Sequence, residues 1–156
     1  MEGDPHSRAD PLALYYFANW LWRHRLRLAA RFVEFGLFFL VGARVPAEAH
    51  LGPRCKLGHG GNGVVVHRRA MVGSGVMICQ QVTIGGAARS SRVPSIGNDV
   101  YLGAGCKILG DVSVGDDSVV GANAVVTKSV PSGSVVVGNP GRIIRTGVRA
   151  KDVEEW

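Results

Sequence analysis

The sequence predicts a mainly β fold, a parallel β-helix, and three observations predict it. Aliphatic residues recur at every sixth position: Val66, Val72, Ile78, Ile84, then Ile96, Leu102, Ile108, Val114, Val120 and Val126. Four places after each stands a small or β-branched residue: Ala70, Val76, Val82, Ala88, Val100, Cys106, Val112, Ser118, Ala124 and Val130. One place after them it is usually glycine, as at Gly73, Gly85, Gly97, Gly103, Gly115 and Gly121. A period of six matches neither the 3.6 of a helix nor the 2 of a strand, so it marks an internal repeat. Six residues hold one short strand and one turn. Three such units close a triangular coil, and stacked coils form a solenoid. The aliphatic residue faces the core, the glycine permits a turn that a Cβ would crowd, and the small residue lets coils stack closely.

Residues 1–45 are expected to hold an arm and a helical segment. Met1 to Asp10 is polar and reads as a loose arm. Asp10-Pro11 is a helix start, a capping aspartate followed by proline at the first position. A helix is expected from Leu12 to about Ala30, with Leu14, Phe17, Ala18, Leu21 and Leu28 on its apolar face and Arg23, Arg25, Arg27 and Arg31 elsewhere. Phe32 to Gly42 reads as a second apolar helix. Its uncharged run after Glu34 is under ten residues, too short to cross a bilayer, and arginines interrupt the apolar stretch as they would not in a signal peptide. The blander reading is a helical pair that covers the apolar open end of the solenoid or packs between subunits. The sharper one is an interfacial pair meeting a membrane through Trp20, Trp22 and the arginines.

Residues 46–141 hold the solenoid. Leu51-Gly52 and Leu57-Gly58 stand six apart, but Leu57 to Val66 is nine, so the frame slips by three within Gly58-His59-Gly60-Gly61-Asn62-Gly63. A second break spans twelve residues between Ile84 and Ile96, and GGAARSSRVPS must leave the coil as an exposed loop. Val130-Pro131 and Asn139-Pro140 end the repeat. Residues 142–156 read as a basic tail or short helix.

A length of 156 residues fits one domain. The net charge of +6 suits nucleic acid, an anionic membrane or a phosphorylated ligand. Nucleic acid is set aside: aromatics are 7% of the chain and no nucleic-acid motif appears. Cys55, Cys79 and Cys106 form no CxxC pair. They read as reduced thiols packing as small apolar residues, with a cytoplasmic location expected.

Regular repeat positions serve packing, so chemistry is expected at the breaks. His59 sits in the frame slip and His67 takes the turn position beside Val66 where other units carry glycine. Histidine ordinarily titrates near pH 6.5 and suits general-base work. His6, His24 and His50 read as surface or helix residues.

The phrases HGGNGVVVH, QQVTIGG, IGNDVYLGAGCKILGDVSVG, GANAVVTKSVP and GNPGRIIR resemble the serine acetyltransferase branch of the hexapeptide-repeat acyltransferases. The resemblance covers roughly residues 10 to 147. It implies a left-handed β-helix that moves acetyl from acetyl-CoA to the hydroxyl of a small acceptor. It implies a homotrimer with the coenzyme in a groove between subunits. Carried onto this sequence, it makes His59 or His67 the base and Arg92 an acceptor-binding residue. Gly86, Ala104, Ala122, Thr127, Lys128 and Arg142 become coenzyme-binding residues, and no metal is expected. Three departures count against L-serine as the acceptor. Gly58 stands where the family has aspartate, Arg92-Val93-Pro94 where it has Arg-His-Pro, and the N-terminal segment is short. They bring a sugar or natural-product hydroxyl into play. A zinc hydratase on this fold would need three histidines, and His59 and His67 lack a third in frame. A non-catalytic scaffold would bind no acetyl-CoA. Glu48 and Asp99 are the candidate carboxylates for orienting the base.

Overall fold

The computed structural model describes residues 11–87 and 92–152. The expected arm with His6 and the capping Asp10, the loop centre with Ala88, and residues 153–156 lie outside the described residues. Helices α1 (Pro11–Arg23) and α2 (Arg27–Val41) come first. The repeat then lays down β1 (His50–Leu51), β2 (Lys56–Leu57) and β3 (Val65–Val66) as one coil. The next coils are β4 (Met71–Val72), β5 (Met77–Ile78) and β6 (Thr83–Gly85), then β7 (Ser95–Ile96), β8 (Tyr101–Leu102) and β9 (Lys107–Leu109). The fourth is β10 (Ser113–Val114), β11 (Val119–Val120) and β12 (Val125–Val126).

Every third strand pairs in parallel. The first face is β1-β4-β7-β10, the second is β2-β5-β8-β11, and the third is β3-β6-β9-β12. Val130 bridges back to Val114, and β13 (Val135–Val137) adds to the second face. The β-helix is left-handed, as the resemblance implied. In nearly every two-residue strand the second residue is buried and the first faces out. The inward residues form one aliphatic column per face, for example Leu57, Ile78, Leu102, Val120 and Val136 in register on the second. Each such side chain contributes about 1.5–3 kcal/mol by leaving water.

The glycine beside most of the aliphatic residues serves a purpose other than the expected turn, Gly85 excepted. At Gly73 a Cβ would stand 2.5 Å from the carbonyl oxygen of Gly97 one coil below. Coil-to-coil spacing therefore excludes a side chain there. Left-handed backbone falls later in the corner, at Arg54, Gly75, Asp99, Asp117 and Gly133 between the first and second faces.

The single helix expected over residues 12–30 is instead a hairpin. It breaks at His24–Leu26, where Arg25 takes φ 64. Folding back lets Ala18 and Leu21 of α1 meet Ala30 of α2 and Ala47 in one small core, which a continuous helix could not do. Leu12, Tyr15 and Leu37 join the main core, so the hairpin covers the first coil. Tyr15 fastens it: its hydroxyl donates to the Ala49 carbonyl at 2.7 Å and accepts the Leu51 N–H at 3.1 Å. At the far end a tail or helix was the expectation from Arg142. The chain forms a strand, β14 (Arg142–Arg145), antiparallel to β13, because the turn at residues 138–141 brings it back. A 3-10 turn at Ala150–Asp152 follows.

Candidate active site

The corner between the second and third faces is a two-residue turn in coils two to four: Gln80-Gln81, Ala104-Gly105 and Ala122-Asn123. Its second residue is left-handed, with φ 61, 69 and 56. In the first coil the same corner holds five residues. Asn62 and Gly63 align with Gln80 and Gln81, since the Gln81 N–H donates to the Asn62 carbonyl at 2.8 Å and Gly63 packs on Gln81. The insertion is therefore His59-Gly60-Gly61, three consecutive left-handed residues with φ 49, 73 and 76. Glycine takes that conformation freely. His59 takes it at a cost of about 1–2 kcal/mol. Its side chain is exposed and has no hydrogen-bond partner among the described residues.

Strand register places Gln80, Ala104 and Ala122 in one column beneath this insertion, and Gly138 continues it. Successive coils lie about 4.8 Å apart, so the strip below His59 carries only methyl groups or hydrogen from the third coil onward. Gln80 interrupts it with a buried Oε1 that has no hydrogen-bond partner among the described residues. Arg142 stands near the foot of this edge, opposite Val137, exposed, its guanidinium donating to the Gly141 carbonyl at 3.2 Å.

The remaining candidates lie on another edge, between the third and first faces. His67 follows β3, Gly86 follows β6, and Thr127 and Lys128 follow β12; register stacks them in two adjacent columns. His67 is half-buried, and its Nδ1 accepts the Arg69 N–H at 3.1 Å. A nitrogen that accepts carries no proton, so the ring's N–H is the one on Nε2. Gly86 is exposed beside the Arg92 carbonyl and Val93. The Arg92 guanidinium meets Asp111 at 3.0 Å on the surface, both side chains more than half exposed, a pair worth under about 1 kcal/mol. The structure thus brings His59, Ala104 and Ala122 together, and separately His67, Gly86, Arg92, Thr127 and Lys128.

Neither carboxylate candidate reaches His59. Asp99 lies on the edge between the first and second faces, and Glu48 meets Arg31 at 3.5 Å near the hairpin. All three cysteines are buried. Burial pushes the Cys106 thiol up to about 12 and raises the Cys55 thiol, which leaves both inert. Among the described residues no group of three or more His, Cys, Asp or Glu could hold a metal ion.

A family model described as bacterial transferase hexapeptide (six repeats) matches residues 94–128. The serine acetyltransferase of Staphylococcus aureus is 38% identical over 162 residues, covering 95% of this chain and 76% of that protein. The chain belongs to the serine acetyltransferase family. The serine acetyltransferase of Mycobacterium tuberculosis is 43% identical over 129 residues, 81% of this chain and 56% of that protein. Among solved structures, serine acetyltransferase from Brucella abortus in complex with coenzyme A superposes with a TM-score of 0.84 at 34% identity, over 88% of this chain and 56% of that one. The chain therefore spans little more than half the length of these two serine acetyltransferases.

Sequence reasoning within this serine acetyltransferase family missed Gln80. The phrase QQVTIGG puts two glutamines at this corner, but nothing in the sequence says which one turns its oxygen inward.

Proposed function

We propose that the chain is an acetyl-CoA-dependent O-acetyltransferase with His59 as general base and L-serine, or a related small hydroxylated compound, as acceptor. The observation that carries this is the three-residue insertion that lifts His59 out at the head of the Ala104–Ala122 strip, in a member of the serine acetyltransferase family. Acetyl-CoA supplies the acetyl group as an activated thioester. The chain's own residues must bind it, hold the acceptor and handle one proton. The methyl-only strip lets a narrow pantetheine chain approach the backbone. The orphaned Gln80 Oε1 is an acceptor suited to an amide N–H. Lys128 and Arg142 are exposed cations suited to phosphate. A ring nitrogen of His59 takes the acceptor's hydroxyl proton as the oxygen attacks, then returns it to the departing thiol.

The two edges argue for an assembly. The third face, whose strands are two or three residues long, separates His59, Ala104 and Ala122 from Arg92, Thr127 and Lys128. One groove can hold both sets where the first edge of one copy lies against the second edge of the next. Such a head-to-tail contact closes into a ring, and three triangular prisms about a threefold axis do so. This supports a homotrimer with three shared sites.

The second reading, a sugar or natural-product hydroxyl as acceptor, is favoured by Gly58 and Val93, which lack the polar groups that would hold an amino acid. The test is thiol release from acetyl-CoA with L-serine and then with sugars. The three native cysteines are buried and will not consume the thiol reagent. Release with L-serine supports the first reading and release only with sugars the second. No release with any acceptor, together with no coenzyme binding by calorimetry, defeats both.

A further inference from the structure

The chain has five phenylalanines, and all five lie in the helical hairpin. Phe17, Phe32, Phe35, Phe38 and Phe39 are 52–78% exposed. On α2, Leu28, Phe32, Phe35 and Phe39 follow one another at helical spacing, so they form one stripe. Ala30 and Leu37 are buried on the opposite side. Capping the first coil therefore uses only one side of α2 and leaves an aromatic row facing away from the β-helix. An apolar patch of this kind marks a docking surface.

Charge decides what docks there. Arg23 ends α1, Arg25 lies in the turn, and Arg27 and Arg31 stand on α2 over the Trp22 ring; all four are exposed, and Arg44 follows α2. The one acid between Pro11 and Ala47 is Glu34, and its carboxylate is occupied by the Ala47 N–H. Beside the row a cleft of about 360 Å³ opens between α2 and the first coil, with Phe35 and Phe38 on one wall and three arginines, Arg31, Arg44 and Arg68, against two acids, Glu34 and Glu48, around it. Arg31 reaches Glu48, while Arg44 and Arg68 have no carboxylate partner among the described residues. Pairing two copies through this row would bring their arginines together. An anionic surface with an apolar layer behind it satisfies both the cations and the rings. Neither helix, at 13 and 15 residues, can span a bilayer, so the fit is to its surface.

We propose that the α1–α2 hairpin docks on an anionic lipid bilayer. The Leu28–Phe39 row enters the interface between headgroups and acyl chains, the arginines meet lipid phosphates, and the cleft at Arg44 and Arg68 receives one headgroup. Acetyl transfer is not needed for this, and binding can be measured without it.

The experiment is co-sedimentation of the full chain with vesicles of phosphatidylcholine alone and of phosphatidylcholine mixed with phosphatidylglycerol. The expected result is binding to the mixed vesicles only, weakened by salt. The F32S/F35S/F39S variant, altered only at exposed positions, should lose it by more than about a hundredfold. R23Q and R25N should weaken it by roughly fivefold each. Equal binding to both vesicles, or to neither, overturns the proposal. So does a triple variant that changes the oligomeric mass while vesicle binding stays as it was, because the row is then a contact between copies.

Discussion

An imidazole can take a proton only through a nitrogen that carries none, and this separates His59 from His67. The Arg69 N–H occupies the bare nitrogen of His67 and leaves it an Nε2–H donor, whereas neither ring nitrogen of His59 has a partner among the described residues. His59→Ala should therefore lower turnover by about 10²–10⁴, with His67→Ala losing less than about tenfold in the same thiol-release assay. The reverse order of effects would move the base to His67. Position had left both residues eligible in the sequence, because a hydrogen bond to a backbone N–H two residues away has no sequence signature. Tyr15 is a second residue whose role needed coordinates. Burial pushes its hydroxyl from 10.0 up to about 12, against the opposing Leu51 N–H. A raised acid binds its proton more tightly when folded, so its stabilisation is complete below pH 10 and is lost between about pH 10 and 12. At one pKa unit per 1.36 kcal/mol that loss is about 2–3 kcal/mol. Tyr15→Phe should cost about 1–3 kcal/mol at neutral pH, since the Ala49 carbonyl and Leu51 N–H lose their partner. It should also flatten that part of the alkaline slope in denaturant titrations taken at several pH values.

Among the elements, the coils were the most legible. A six-residue period repeated from Val66 to Val126 leaves few other folds, and the nine-residue step from Leu57 to Val66 already located the insertion at His59. The hairpin was less legible. Apolar spacing runs on through His24–Leu26, and the chain breaks there because Leu21 and Ala30 share one core, a tertiary demand that local periodicity does not record. β14 escaped for the same reason: Arg142–Arg145 has no buried residue, so no alternation marks it as a strand. The insertion allows an experiment on the element itself. Deleting residues 59–61 leaves Asn62-Gly63 to make the two-residue turn that Gln80-Gln81 makes one coil below. Removing a left-handed histidine and two flexible glycines should leave thermal stability equal or higher by about 1 kcal/mol, while turnover disappears. A deletion variant that unfolds would show that the insertion also holds the first coil in place. One that folds and still turns over would remove His59 from the chemistry.

For the whole molecule, the placement of candidates on two edges can be tested without a structure of the assembly. A groove confined to one chain would keep all its residues in cis, and mixing two inactive variants would restore nothing. A groove made from the first edge of one copy and the second edge of the next behaves differently. His59→Ala disables only the first edge, and Lys128→Ala with Arg92→Ala disables only the second. In trimers reassembled from equal amounts of the two, about a quarter of the contacts pair two intact edges. Turnover should recover to roughly that fraction of the unaltered protein's, and only after subunits have exchanged. Ultracentrifugation of the same mixture should give the mass of three chains. An active species at the mass of one chain, or mixed trimers no more active than the separate variants, would return every site residue to a single chain. The two-edge geometry would then be a consequence of coil stacking alone.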